Sequence, residues 1–231
     1  MDIRGFIPFT TLDYPGKLAC VVFCGGCNMR CPDCHNGHFV LAPESQKAVP
    51  EEEVVGFLRK RSGRLEGVVI SGGEPTLQPG LEVFAATVKG LGFLVRVDTN
   101  GSRPDIVSRL IKRKVLDALA VDLKGTVEGY PAASGIPKNL ALSTLKSISL
   151  AVEAGIEVEV RTTIHKRFHG HGDLVEMRRL LDGVGVDEWV WQRYRKTDPI
   201  DTSLEEKDNW SAAEIGSIAA SLHDIKLRDW S

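Results

Sequence analysis

The sequence predicts an α/β fold built on parallel strands. Short apolar runs rich in β-branched residues recur along the chain, and helical patterns with clear starts and stops lie between them. Length agrees: 231 residues with 42% hydrophobic content bury a full core and fit one domain better than two small ones.

The first run, Leu18 to Phe23, is nearly continuous in apolar residues, as a strand covered on both faces should be. Gly67 to Ile70, Phe93 to Val97, Ala118 to Val121, Ile156 to Ile164 and Glu188 to Trp191 repeat it. Of the helical patterns, Pro50 to Arg61 opens on a proline and three glutamates, Leu81 to Leu91 stops at Gly92, and Pro104 to Lys114 follows Ser102. Leu140 to Ala154 stops at Gly155, and Leu174 to Leu181 at Gly183. Such alternation implies right-handed βαβ units, and about six of them make either a doubly wound sheet or an incomplete barrel. Arg195 to Asp208 reads as a polar, exposed connection, and Ser211 to Leu222 as a terminal helix capped by Ser211 with Glu214 three residues on.

A net charge of −2 with interspersed signs offers no basic face to nucleic acid. The first residues lack a signal pattern, and no apolar run approaches the roughly 18 residues of a membrane span. The expected location is the cytoplasm, where thiols stay reduced. The five cysteines, crowded between Cys20 and Cys34, therefore read as metal ligands or catalytic groups and not as disulfides.

They stand within, at the end of and beyond the first strand run. The following stretch, Cys24 to Val49, is too long and too rich in Cys, Gly, Asn, Pro and His for a plain crossover. Within it Cys27, Cys31 and Cys34 give C-x3-C-x2-C, with Asn28, Met29, Arg30, Pro32 and Asp33 wrapping a compact loop. Three thiolates on a cubane of four irons leave one iron open, as substrate or cofactor chemistry requires. A closed zinc site needs a fourth ligand, for which His35 or His38 is available. Cys20, Cys24 and Cys27 repeat the same spacing, but Cys20 lies inside the strand run and Cys24 at its end, where a small buried hydrophobe is the usual role of cysteine.

Asp13-Tyr14-Pro15-Gly16 followed by Gly26-Cys27-Asn28-Met29-Arg30-Cys31-Pro32-Asp33-Cys34-His35-Asn36 resembles the radical S-adenosylmethionine superfamily, and within it the glycyl-radical-enzyme activases. The Cys-His-Asn ending and the Asp-x-Pro-Gly motif resemble the activating proteins of anaerobic ribonucleoside-triphosphate reductase and of pyruvate formate-lyase. Gly72-Gly73-Glu74-Pro75, Asp98-Thr99-Asn100-Gly101 and Asp122-Leu123-Lys124 extend the likeness over about the first half of the chain.

The resemblance implies a 4Fe-4S cluster on Cys27, Cys31 and Cys34, with S-adenosylmethionine on the open iron. One electron, from reduced flavodoxin or ferredoxin, cleaves the sulfonium. The 5'-deoxyadenosyl radical then takes a hydrogen atom from a glycine of a partner glycyl radical enzyme. With a protein-sized substrate and about six strand–helix units, the expected architecture is a partial (βα)6-type barrel of parallel strands, open on one side. It forms a single domain over residues 1–231, with a C-terminal extension from about 203.

Gly72 to Pro75, Asp98 to Gly101 and Asp122 to Lys124 each follow a predicted strand, at the carboxyl edge where parallel α/β folds bind ligands. Gly72 and Gly73 let backbone carbonyls approach the methionine ammonium, with Glu74 adding negative charge; alone, the motif is an ordinary turn. Asp98 and Asp122 suit the ammonium or ribose hydroxyls, and Lys124 a carboxylate or hydroxyl. Asp98, Thr99 and Asp122 also suit a shared monovalent cation. Arg161 resembles a family arginine near S-adenosylmethionine, and Asp13 stands where the family motif meets the incoming glycine loop, its plainer role being turn formation.

Asp33 departs from the family, which usually carries an aromatic or large apolar residue before the third cysteine. His165 and the loop Phe168-His169-Gly170-His171 also depart. His169 and His171 offer metal or substrate contacts, but a solvated loop is the better reading. Gln192 and Arg193 end the sixth strand run without an assigned role. Two other functions compete: a radical enzyme acting on a small molecule, similar to 7-carboxy-7-deazaguanine synthase, and a non-catalytic iron-sulfur electron carrier.

Overall fold

The computed structural model describes residues 1–197 and 199–230. The strands are β1 (Ile3–Thr10), β2 (Ala19–Cys24), β3 (Gly67–Gly72), β4 (Leu94–Thr99), β5 (Ala118–Asp122), β6 (Glu157–Ile164), β7 (Trp189–Arg193) and β8 (Ile225–Arg228). They form one sheet in chain order, β1 to β8. β1 runs antiparallel to β2, every other pair is parallel, and the sheet is not closed into a barrel. β2 to β7 are the six expected strands of the partial barrel. The two edge strands were not expected from the sequence.

The helices are α1 (Gly37–Leu41), α2 (Glu51–Arg61), α3 (Leu81–Gly90), α4 (Pro104–Lys112), α5 (Tyr130–Ser134), α6 (Ala141–Glu153), α7 (His171–Asp182) and α8 (Ala212–Ser221). Their ends follow local chemistry. α2 carries Glu51, Glu52 and Glu53 in its first turn and Arg59, Lys60 and Arg61 in its last, matching both poles of the helix dipole. α4 has proline at its first position. α7 begins three residues before the expected Leu174, because the Asp173 carboxylate accepts from the Gly170 N–H at 2.8 Å and caps the extra turn.

At α8 the Ser211 hydroxyl accepts from the Glu214 N–H, while Glu214 takes the Ser211 N–H. Ser211→Ala is expected to cost about 1 kcal/mol, read as a lower urea midpoint with an unchanged slope.

The period of two along each strand divides the sheet into two faces. Cys20, Val22, Cys24, Val68, Ile70, Val95 and Val97 join the main core with the helices, while Ala19, Val21, Val69, Ala118 and Tyr14 form a small cluster on the inner face. Tyr14 packs under β3, so close that a Cβ on Gly67 would meet its ring at 2.9 Å. Above this cluster the inner face turns polar and charged, and the site lies there.

The connection 195–208 is only partly as expected. Arg195, Lys196 and Thr197 are exposed, but Leu204 is buried and its carbonyl is 3.5 Å from the Tyr194 hydroxyl. Residue 198 lies outside the described residues.

Candidate active site

Cys27, Cys31 and Cys34 line one cleft of about 350 Å³ together with Asp33, Gly72, Gly73, Asp98, Asp122, Lys124 and Arg161. Cys20 and Cys24 are fully buried in the main core. Burial pushes the Cys27 thiol up to about 11 and raises those of Cys31 and Cys34 as well. Such thiols stay protonated until a metal displaces the proton.

The cysteine loop is braced from four parts of the chain. Arg30 N–H donates to the Ser134 carbonyl at 2.9 Å, at the end of α5, and Asp201 N–H to the Pro32 carbonyl at 3.0 Å. From beyond β4, Asn100 Nδ2 donates to Asn28 Oδ1 at 2.9 Å, and Asn28 Nδ2 in turn to Ser102 Oγ at 2.9 Å. Asn36 Nδ2 donates to the Gly72 carbonyl at 3.0 Å, which ties the Cys-His-Asn ending to the end of β3. Asn28, Asn100 and Ser134 carry no chemistry visible in their spacing, so sequence reasoning passed over their bracing role.

The glycines serve this packing. Gly73 lies so close to the loop that a Cβ there would stand 2.0 Å from the Gly26 carbonyl oxygen, and one on Gly135 would stand 1.9 Å from that of Arg30. Backbone therefore meets backbone on both sides of the cysteines. Gly73→Ala is expected to displace the loop, lowering both the melting temperature and the iron bound per chain after anaerobic reconstitution. Unchanged iron loading would show that the contact is dispensable.

Glu74 does not bring its charge to the cleft. It is fully buried, and its carboxylate accepts from Thr76 N–H (2.9 Å), Thr76 Oγ1 (2.5 Å), Thr99 Oγ1 (2.6 Å) and Asn100 N–H (2.7 Å). Burial raises its carboxyl above the ordinary range against those four donors. Its work is to join the turns after β3 and β4. The direction of a side chain at a turn was not readable from the motif.

An ordered series of charges crosses the inner face. Arg228 NH2 reaches Glu159 at 3.2 Å, and Arg96 NH2 reaches the same carboxylate at 3.2 Å. Arg96 Nε donates to Asp98 at 3.0 Å, Arg161 spans Asp98 (3.2 Å) and Asp122 (3.0 Å), and Lys124 Nζ stands 3.3 Å from Asp122. The guanidinium of Arg161 thus bridges Asp98 and Asp122, and the Thr99 hydroxyl is turned to Glu74. Burial works to raise the Asp122 carboxyl, but Arg161 and Lys124 outweigh it and hold it well below the carboxylate range. Burial likewise opposes the charge on Lys124, yet Asp122 keeps the ammonium well above its ordinary value.

Asp13 is exposed in the β1–β2 turn, at the amino edge of the parallel strands, and accepts from the Thr10 hydroxyl at 2.5 Å. It lines the same cleft as the cysteines. The expected solvated histidine loop is corrected: His165 and His169 are each 2% exposed, because the segment ending at Trp210 packs across them, while His171 is exposed at the start of α7.

The cleft fits an iron-sulfur cluster better than a closed zinc site. His35 Nε2 is 2.9 Å from the Arg195 carbonyl, and His38 is exposed with its ring against Phe39. The cleft offers the three thiolates of Cys27, Cys31 and Cys34, the donor set that leaves one iron of a cubane open.

Comparison with known proteins agrees with this geometry. The chain is 32% identical over 228 residues, 94% of its own length and 91% of the relative's, to a Methanocaldococcus jannaschii protein provisionally named a glycyl-radical enzyme activating enzyme. Shorter stretches are 36% identical to two proteins of different activity. One is 7-carboxy-7-deazaguanine synthase of Hyperthermus butylicus, over 104 residues, 45% of this chain and 41% of that one. The other is pyruvate formate-lyase-activating enzyme of Staphylococcus epidermidis, over 95 residues, 39% and 38%. Local identity therefore does not separate the two activities. The fold is shared with SuiB of Streptococcus suis (TM-score 0.69, 15% identity, 90% of this chain), of which this chain spans 48%. The Radical SAM superfamily profile matches residues 21–181, and the chain belongs to that superfamily.

Proposed function

We propose that the chain is a glycyl-radical-enzyme activating protein whose partner is anaerobic ribonucleoside-triphosphate reductase. One observation carries the reading: the cleft beside the three cysteines extends to Asp13 in the β1–β2 turn, within a sheet left open between β1 and β8. A cleft that runs from the cysteines to an exposed turn suits a loop of another protein. The 32% identity to an activating-enzyme relative over nearly the whole chain supports it.

Cys27, Cys31 and Cys34 would hold the 4Fe-4S cluster, and Asp98, Asp122, Lys124 and Arg161 the polar groups of S-adenosylmethionine beside Gly72 and Gly73. When bound, cluster and S-adenosylmethionine supply the radical that removes a hydrogen atom from the partner glycine. The chain's residues place and orient. Lys124 offers an ammonium to a carboxylate, Arg161 keeps Asp122 ionised and holds both Asp98 and Asp122 at fixed positions, and the brace from Asn28 to Ser102 holds the loop. Asp13 would steer the incoming loop. The reading takes residues 1–231 as one cytoplasmic domain, with an extension from about 203 and reduced flavodoxin or ferredoxin as electron donor. No helix of the described residues is long and apolar enough to cross a membrane.

The test is anaerobic reconstitution with iron and sulfide, then dithionite, S-adenosylmethionine and the reductase. The expected result is a glycyl radical doublet in the electron paramagnetic resonance spectrum, with matching 5'-deoxyadenosine. Formation of 5'-deoxyadenosine without a protein radical would favour a small-molecule substrate. None from a loaded cluster would overturn the radical reading.

A further inference from the structure

Two buried histidines remain outside the functions described above. His169 N–H donates to the His165 carbonyl at 3.0 Å, closing one turn after β6. Inside that turn the His165 N–H donates to His169 Nδ1 at 3.2 Å, and the Arg167 N–H to His165 Nδ1 at 3.1 Å. Because each Nδ1 accepts from a backbone N–H, each ring carries its proton on Nε2. Both Nε2 atoms face carbonyls. That of His165 lies 3.3 Å from Glu205 O, and that of His169 lies 3.0 Å from Lys124 O.

The second contact reaches the cleft. Lys124 lies two residues beyond the end of β5, and its ammonium is one end of the charge series. The preceding carbonyl, Leu123 O, accepts from the Thr162 hydroxyl at 2.7 Å. Two consecutive carbonyls are thus held by side chains from β6 and its exit loop. That loop is in turn held from the C-terminal side: Trp210 Nε1 donates to the His169 carbonyl at 3.0 Å, and Asn209 Nδ2 to the Ile164 carbonyl at 2.8 Å.

We propose that His169 is a positioning residue for Lys124: its Nε2–H fixes the Lys124 carbonyl, and so holds the ammonium on the carboxylate of S-adenosylmethionine. The proposal rests on the S-adenosylmethionine reading of the cleft and is independent of the partner enzyme. A purely local role predicts a different variant pattern, because the two ring nitrogens do separate work. Glutamine places an amide N–H near the position of Nε2 and loses the Nδ1 acceptor. Asparagine places an oxygen near Nδ1 and does not reach Lys124.

The experiment compares full-length wild type, His169→Gln and His169→Asn. Amide hydrogen exchange over residues 123–129 is measured in all three. S-adenosylmethionine binding to the anaerobically reconstituted proteins is measured by equilibrium dialysis. His169→Asn is expected to speed exchange over 123–129 and to weaken binding about tenfold, the worth of one hydrogen bond. His169→Gln is expected to stay close to wild type in both. The reverse pattern, or equal effects of the two variants, would overturn the proposal and leave His169 as an ordinary brace of its own turn. Wild type that binds no S-adenosylmethionine would refute the reading of the cleft, while the exchange comparison would still decide whether His169 holds the Lys124 segment.

Discussion

Cys31→Ala is expected to empty the protein of iron and to reduce 5'-deoxyadenosine to background, while Cys20→Ala keeps both. Cys31 lines the cleft beside Cys27 and Cys34, and a cluster that already leaves one iron without a protein ligand tolerates no further loss. Cys20 instead stands on β2 opposite Val68, with its thiol in the main core. Alanine there removes one sulfur atom from a packed interior, at a cost of about 1 kcal/mol. Iron per chain and the denaturant midpoint, measured on both variants, separate these cases. Equal iron loss would mean that the overlapping register, Cys20 to Cys27, binds the metal.

The second large effect belongs to Arg161. Its side chain is 15% exposed and pairs with both Asp98 and Asp122. Arg161→Met leaves Asp122 short of its main partner and Asp98 short of one of its two, although Arg96 still reaches Asp98 and Lys124 still reaches Asp122. The expected loss is about 3 kcal/mol of stability, the lower end for breaking a buried pair, together with loss of 5'-deoxyadenosine formation. Lysine in its place would restore charge without the fork that spans two carboxylates.

The pH dependence has a definite sign. Asp122 has its native pKa depressed below the ordinary 3.8, so its stabilising share is complete above that value and is lost as the pH falls through the lower native one. Arg161→Met raises that native value, so the variant should begin to lose stability at a higher pH on acidification. Chemical denaturation at pH 7 and across the acid range tests both claims. An acid profile parallel to that of wild type would remove Asp122 from the account.

β2 to β7 were legible because buried parallel strands are written as apolar runs. β1 was not: Gly5 and Pro8 interrupt its pattern, and Ile7 and Phe9 are exposed on this edge strand. β8, with four residues directly after α8, is too short to register as a period. In the site, the cysteines and the acidic and basic strand ends were visible because their residue types carry chemistry. What a side chain faces was less visible. Glu74 points into the fold through the geometry of one turn, and His169 is buried by contacts from residue 210, more than forty positions away.

The braced cysteine loop also bears on how the metal is acquired. Its fixed points lie on residues 72, 100–102, 134 and 201, so the ligands within 27–34 reach their positions only after most of the sheet has formed. Loading is then a late event, and each thiol that burial holds protonated must release a proton as iron binds. Metal uptake should therefore become more favourable as pH rises.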